Sequence, residues 1–162
     1  AASAMLAGLL SDALIRRGHV AARVRRTTIC IGMLGCCLFT LPGVMVHGQT
    51  TSLVLLIIAS IWLGGFSSNN WALAQTLGGP EAAGRWTALQ NCIGNFAGVA
   101  AAWITGAVVN YLHSFPLAFG VSCAMLLFGV YGYWFVIGDQ TRVHWSTEHA
   151  IESALKERPA EV

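Results

Sequence analysis

Side-chain amides and hydroxyls cluster at two places within long apolar stretches of the chain. The first is Ser67, Ser68, Asn69 and Asn70, followed by Trp71; the second is Gln90, Asn91 and Asn95. An amide both donates and accepts hydrogen bonds, so these groups suit the hydroxyls and carboxylates of a small polar solute, although they bring no charge to neutralise it. Trp71 adds a ring that either stacks on such a solute or anchors at a membrane edge. Catalytic chemistry has nothing to stand on. The apolar stretches hold no carboxylate, and no Ser-His-Asp or Cys-His arrangement, metal-ligand spacing or phosphate loop is apparent, so no enzyme activity, metal or cofactor is expected. His47, His113, His144 and His149 fall in turns or in the tail and read as solvated. Cys30, Cys36, Cys37, Cys92 and Cys123 lie in the apolar stretches without a CxxC spacing and read as small hydrophobes.

The elements that must position these groups follow from the charge pattern. The chain is 56% hydrophobic and 10% charged, with a mean hydropathy of +0.64. No Asp, Glu, Lys or Arg occurs from 27 to 80 or from 86 to 138. Each run is long enough for two membrane crossings of about 20 residues with a turn between them. The expected fold is an all-α polytopic membrane protein, with crossings at about 27–46, 52–75, 86–112 and 117–138. A short apolar stretch before residue 10 reads as the last turns of a helix already under way, so a C-terminal fragment of a longer protein is expected. Pro42 falls near the far end of the first crossing, where it loosens or kinks a helix. The segment 77–85, with Gly78-Gly79-Pro80, Glu81 and Arg85, reads as a break between the second and third crossings.

Five of the nine Lys/Arg residues (Arg16, Arg17, Arg23, Arg25 and Arg26) fall in a basic loop at 8–26, and the others lie at Arg85 and in a polar tail at 139–162. The turns 47–51 and 113–116 carry none. By the positive-inside rule the basic loop, the Glu81 segment and the tail are cytoplasmic. Five arginines beside a membrane helix read as a topology signal and a contact for anionic lipid, and no nucleic-acid partner is expected.

At 100° per residue, Gln90, Asn91, Gly94, Asn95, Gly98, Ala102, Thr105 and Gly106 fall within roughly one 160° arc, opposite Leu89, Ile93, Phe96 and Trp103. Gly94, Gly98, Ala102 and Gly106 form a small-xxx-small repeat that lets helices approach closely. The amides either glue helices together or line a water-filled path, since polar groups at membrane depth tend to mark solute routes. In the second crossing Ser60, Gly64, Ser67, Trp71 and Gln75 share a face, while Asn69 and Asn70 point elsewhere unless Gly64-Gly65 lets the helix unwind.

The basic loop carries a resemblance. Gly8-x-Leu10-Ser11-Asp12-x-x-x-Arg16-Arg17 resembles the signature G-x-L-[AS]-D-R-x-x-R-[KR] of the major facilitator superfamily, with Ala13 in place of the Arg that follows its Asp. Gly84-Arg85-Trp86, Leu89-Gln90-Asn91, Gly94-Asn95, Gly98 and Gly106 resemble helix 11 of its anion:cation symporter branch, with Ala102 where that branch often has a proline. The resemblance implies the C-terminal half of such a fold, from the end of helix 8 through helix 12. It further implies a secondary transporter of a small organic anion such as a sugar acid, coupled to H+ or Na+ and working by alternating access. Gln90, Asn91 and Asn95, with Ser67, Asn69, Asn70 and Trp71, would then supply part of the solute site. Gly8, Asp12, Arg16 and Arg17 would form a gating motif in which Asp12 pairs with Arg16, Arg17 or a neighbouring helix end. The missing N-terminal half would be a partner within the same chain. The alternative is a non-transporting four-helix membrane protein whose small-residue faces serve assembly.

Overall fold

The computed structural model describes residues 2–136, apart from the side chains of Glu81 and Val136; the polar tail expected at 139–162 lies outside the described residues. Four α-helices follow one another: α1 (Ala2–Arg16), α2 (Ala21–Met45), α3 (Gln49–Leu112) and α4 (Phe115–Tyr131), the last continuing into one π-helical turn, Gly132–Val136. Helix α3 is broken by Gly79, whose φ of 66° and ψ of 173° are non-helical, into two arms, α3a (Gln49–Pro80) and α3b (Ala82–Leu112). Among the described residues four segments are long and apolar enough to cross a membrane: α2, α3a, α3b and Phe115–Phe135. The all-α membrane architecture expected from the charge-free runs is what the described residues form.

The elements extend further than the charge pattern suggests. The basic loop expected at 8–26 contracts to the turn 17–20, because α1 runs through Arg16 and α2 already begins at Ala21. Arginine is a good helix former, and its long side chain reaches the interface from a helical backbone, so charges mark the membrane edge rather than the helix end. Gly18, at φ 95°, makes the reversal. The break expected at 77–85 is likewise reduced to one residue. A positive φ with extended ψ is open essentially to glycine alone, and Pro80 beside it has no N–H to leave unpaired. Asn70, Leu73, Ala74 and Leu77 of α3a line one groove with Trp86, Leu89, Gln90 and Ile93 of α3b, so the arms lie side by side and reverse direction at Gly79. At the far end His113, at φ 50°, ends α3b, and Ser114 Oγ accepts from Leu117 N at 3.4 Å to start α4.

The core sits where α2 crosses α3a and α4. Ala22, Ile29, Met33 and Leu73 are buried there, with Phe66, Leu77, Leu126, Val130 and Tyr133 packed around them. Two glycines of α2 let it lie close against α3a. A Cβ on Gly32 would stand 2.8 Å from Phe66 N and 2.9 Å from Trp62 O, both backbone atoms, and one on Gly35 would run into the Trp62 ring. Gly32→Ala is therefore expected to push the helices apart and cost about 1–3 kcal/mol. Gly129→Ala should be nearly silent, because the atom it meets is the flexible Met33 Cε at 3.1 Å. Thermal unfolding of the two variants in detergent makes the comparison; equal melting temperatures would remove the backbone contact from this account.

The arm α3b is the exception to this packing. Gly94, Gly98 and Gly106 have nothing within 4 Å of where a Cβ would stand among the described residues, and Ala102 is exposed. The small-residue repeat is present, but the close approaches among the described residues are made by Gly32, Gly35 and Gly64 instead.

Candidate functional site

The two arms of α3 carry all the amides of interest, and their reversal at Gly79 brings some of them together. Asn70 and Gln90 line the same groove between the arms, a space of about 380 Å³ whose other walls are apolar apart from Tyr133 at the end of α4. The Tyr133 hydroxyl donates to Asn70 Oδ1. Gln90 Oε1 is buried and has no hydrogen-bond partner among the described residues. One face further round α3b, Asn95 Nδ2 donates to Asn91 O at 2.9 Å and to Asn91 Oδ1 at 3.1 Å, and both residues are exposed.

The remaining residues of the expected site are placed elsewhere. Asn69 is 2% exposed and spends its amide within its own helix, donating to Gly65 O at 3.1 Å and to Ser68 Oγ at 3.4 Å. It does not join Asn70 in the groove. Ser60, Ser67 and Gln75 are exposed and Trp71 is half-buried, in keeping with the shared face that helical spacing assigns them. Unwinding at Gly64-Gly65 is not what the chain does. Both are helical and form the seat of α1, with Gly64 against Ser3 and Ala4, and Gly65 3.6 Å from Ala7 Cβ. The structure thus gathers Asn70 with Gln90, and Asn91 with Asn95, as two pairs rather than one cluster.

A second polar assembly joins the Arg-bearing end of α2 to the adjoining ends of α1 and α3a. Arg25 Nη1 on α2 donates to Ala72 O at 2.5 Å and to Thr76 Oγ1 at 2.6 Å, both on α3a. Its Nη2 stands 3.9 Å from Asp12 Oδ1 at the end of α1. Asp12 meets Arg25, not Arg16 or Arg17, which are exposed. Ser11, buried beside it, faces Thr28 Oγ1 at 3.4 Å. The adjacent Arg26 guanidinium lies 5.1 Å from the centre of the Trp134 ring, a cation–π contact that ties α2 to the end of α4.

Arg25 and Tyr133 are the two residues that sequence reasoning did not single out. Arg25 had a readable signal: Ala22, Arg25, Ile29, Gly32 and Cys36 recur at three- and four-residue steps, so the arginine continues the buried stripe of α2. Tyr133 had none, since its partner lies 63 positions away. Among the described residues no group of His, Cys, Asp and Glu could hold a metal ion.

No family model matches the chain, and no solved structure matches it. Curated proteins do. The chain is 31% identical over 144 residues, 88% of its length, to a probable galactarate/D-glucarate transporter of Escherichia coli (strain K12). It is 33% identical over 141 residues, 84% of its length, to an uncharacterized transporter of Bacillus subtilis (strain 168). A probable chloroplastic anion transporter of Arabidopsis thaliana is 32% identical over 143 residues, 88% of the chain. The chain spans about a third of the length of these relatives: 32%, 31% and 28% of them respectively. All three are named as transporters and none as an enzyme. The chain is similar to part of each of these transporters, whose names are in keeping with the expected resemblance to an anion transporter. It is a multi-pass membrane protein.

Proposed function

We propose that this chain is the C-terminal portion of a secondary active transporter that moves a small organic anion, such as galactarate or D-glucarate, across the membrane by alternating access coupled to H+ or Na+. The observation that carries the reading is the pair of amides, Asn70 and Gln90, converging on one apolar groove between two membrane-spanning arms. A mostly apolar pocket with a few convergent polar groups is the usual form of a small-molecule site. Asn91 and Asn95 present a second amide pair, with Ser67 and Trp71 on the open face of α3a, and the relatives named for sugar acids supply the solute class. None of these groups is charged, so the cation that faces the solute carboxylate and the carboxylate that carries a coupled proton belong to the rest of the protein.

In this reading the Arg-bearing end is cytoplasmic, and the exposed arginines meet anionic lipid there. Gly8, Asp12, Arg16 and Arg17, with Arg25 as the partner of Asp12, hold the cytoplasmic ends of α1, α2 and α3a together in one state of the transport cycle. The open small-residue stripe of α3b faces the N-terminal half of the same protein. That stripe is also the observation that favours the second reading, a membrane assembly protein without transport.

The deciding experiment is uptake of labelled D-glucarate by cells expressing the full-length protein, with proton and sodium gradients imposed in turn. Saturable uptake driven by one gradient supports the transporter, and its absence across a panel of sugar acids leaves the assembly reading. Residues 1–162 expressed alone are expected to give no saturable uptake, because alternation needs two halves rocking about the site. Saturable uptake by these residues would overturn the half-site picture.

A further inference from the structure

Helices α1 and α2, joined by the turn 17–20, both pack on α3a and leave a groove of about 600 Å³ between them. Leu6, Leu10 and Ile31 line it and are 67%, 63% and 50% exposed, so its walls are open to whatever surrounds the chain. Its length along α2, from Val20 to Gly32, is about 18 Å at 1.5 Å per residue, close to half of a hydrocarbon core about 30 Å thick. The groove therefore starts at one membrane edge and ends near mid-depth, at Ile61 and Trp62 of α3a. Its polarity changes along that length. His19 and Arg23 line the edge end, and no Asp or Glu lines any part of it. Arg23 is exposed, and its guanidinium has no hydrogen-bond or ion-pair partner among the described residues. Thr27 and Thr28 come next, and their hydroxyls donate to Arg23 O at 2.9 Å and Val24 O at 3.0 Å on their own helix. Beyond them the lining is mostly apolar.

We infer that this groove holds one anionic phospholipid, its phosphate at Arg23 and His19 and an acyl chain laid past Leu10 and Ile31 towards Ile61. The occupant follows from the charge order and the length. The groove asks for an anionic end at the membrane edge and an apolar body that reaches mid-depth, which is the plan of a lipid in one leaflet. A further membrane helix would cross the whole core of about 30 Å, well past the point where the groove ends. A zwitterionic lipid answers Arg23 less well, because its own ammonium competes for the phosphate. Bound here, the anionic lipid joins α1 to α2 at the end where Arg25 already ties α2 to α3a. The stability of that end then depends on the anionic lipid content of the membrane. The inference rests on the membrane architecture and not on transport.

The test uses the full-length protein in detergent, with thermal unfolding followed while phosphatidylglycerol is titrated in. Phosphatidylcholine of the same chains is the comparison lipid. Each variant is measured against its own lipid-free unfolding temperature, so its intrinsic stability does not enter. Phosphatidylglycerol is expected to raise the unfolding temperature of the wild type in a saturable way, and phosphatidylcholine to need at least about fivefold more for the same rise. Arg23→Ala should raise the phosphatidylglycerol concentration for half the effect about five- to tenfold. Arg85→Ala, at an exposed arginine outside the groove, should leave it unchanged. Ile31→Trp puts a larger side chain into the groove, keeps the basic end intact, and should weaken phosphatidylglycerol as much as Arg23→Ala does. An equal response to both lipids, or an equal loss in Arg23→Ala and Arg85→Ala, would reduce the effect to a general attraction between arginines and anionic lipid and overturn the inference. So would an unchanged response in Ile31→Trp, which takes the chain out of the groove, or the same rise from inorganic phosphate, which makes it a site for the free anion. A wild type without a saturable response would overturn it too, leaving the groove to another part of the protein. Uptake of sugar acids, present or absent, bears on the transporter reading alone.

Discussion

Asn91→Leu in the full-length protein is expected to abolish solute uptake and leave the protein folded and in the membrane. The side chain is exposed, and its hydrogen-bond partner among the described residues is Asn95, one turn along the same helix. Removing it breaks no contact between helices of this chain, and leucine is a better helix former than asparagine, so α3b itself does not suffer. What goes is a donor and acceptor at membrane depth. A hydrogen bond to a charged solute is worth about 1.5–3 kcal/mol, so uptake at low solute concentration should fall about 10- to 100-fold from binding alone. With Asn91 in the solute path as proposed, leucine there adds bulk and brings the loss to the detection limit. The check is an uptake assay beside a measure of surface protein and thermal unfolding. Full uptake in the variant would place Asn91 outside the path and leave it as helix-packing glue.

The second large effect is on stability. Arg25→Ala is expected to cost about 2–4 kcal/mol, whereas Asp12→Asn should cost less than about 1 kcal/mol. The difference follows from burial and geometry. Arg25 is 19% exposed and its two short bonds to Ala72 O and Thr76 Oγ1 are made by a charged donor that water reaches poorly. Asp12 is 53% exposed and stands 3.9 Å from the guanidinium, so solvent screens much of that attraction. Thr76 survives the loss of Arg25 because its hydroxyl already donates to Ala72 O at 2.7 Å. Lysine at position 25 should recover only part of the loss, since a single ammonium lacks the planar fork that reaches two helices at once. Unfolding in detergent ranks the three variants. If Asp12→Asn destabilised as much as Arg25→Ala, the ion pair rather than the bonds to α3a would be the anchor.

The membrane architecture was legible because charge gaps are a strong signal: hydrocarbon tolerates few unpaired charges, and the runs 27–80 and 86–138 contain none. The amide-bearing arc of α3b was legible for a related reason, since helical spacing alone puts Gln90, Asn91, Gly94 and Asn95 close together. Helix ends were harder. Arg16 and Arg23 look like loop to a charge count but are helical, because the membrane edge and the helix end are different boundaries. Asn69 and Asn70 looked alike in sequence, and their fates differ by a rotation of about 100°. One turns into the helix packing and satisfies itself on Gly65 O, and the other meets Tyr133. Likewise Gly94, Gly98 and Gly106 carry the plainer close-packing pattern, yet Gly32 and Gly35 make the contact here. Which glycine is used depends on what stands opposite, and spacing does not say.

The single-residue reversal at Gly79 reaches beyond geometry to how this protein can change over generations. Most turns between membrane helices absorb insertions, because extra residues bulge into water without moving the helices. Here no such slack exists. One residue added within the helical turns between Gly79 and Gln90 would turn Gln90 by about 100° relative to Asn70, carrying it out of the groove they share. The helical length between the joint and the groove is therefore held to its present count. Tags, reporter segments and protease sites belong instead in the turns at 17–20 or 46–48, where α2 begins and ends.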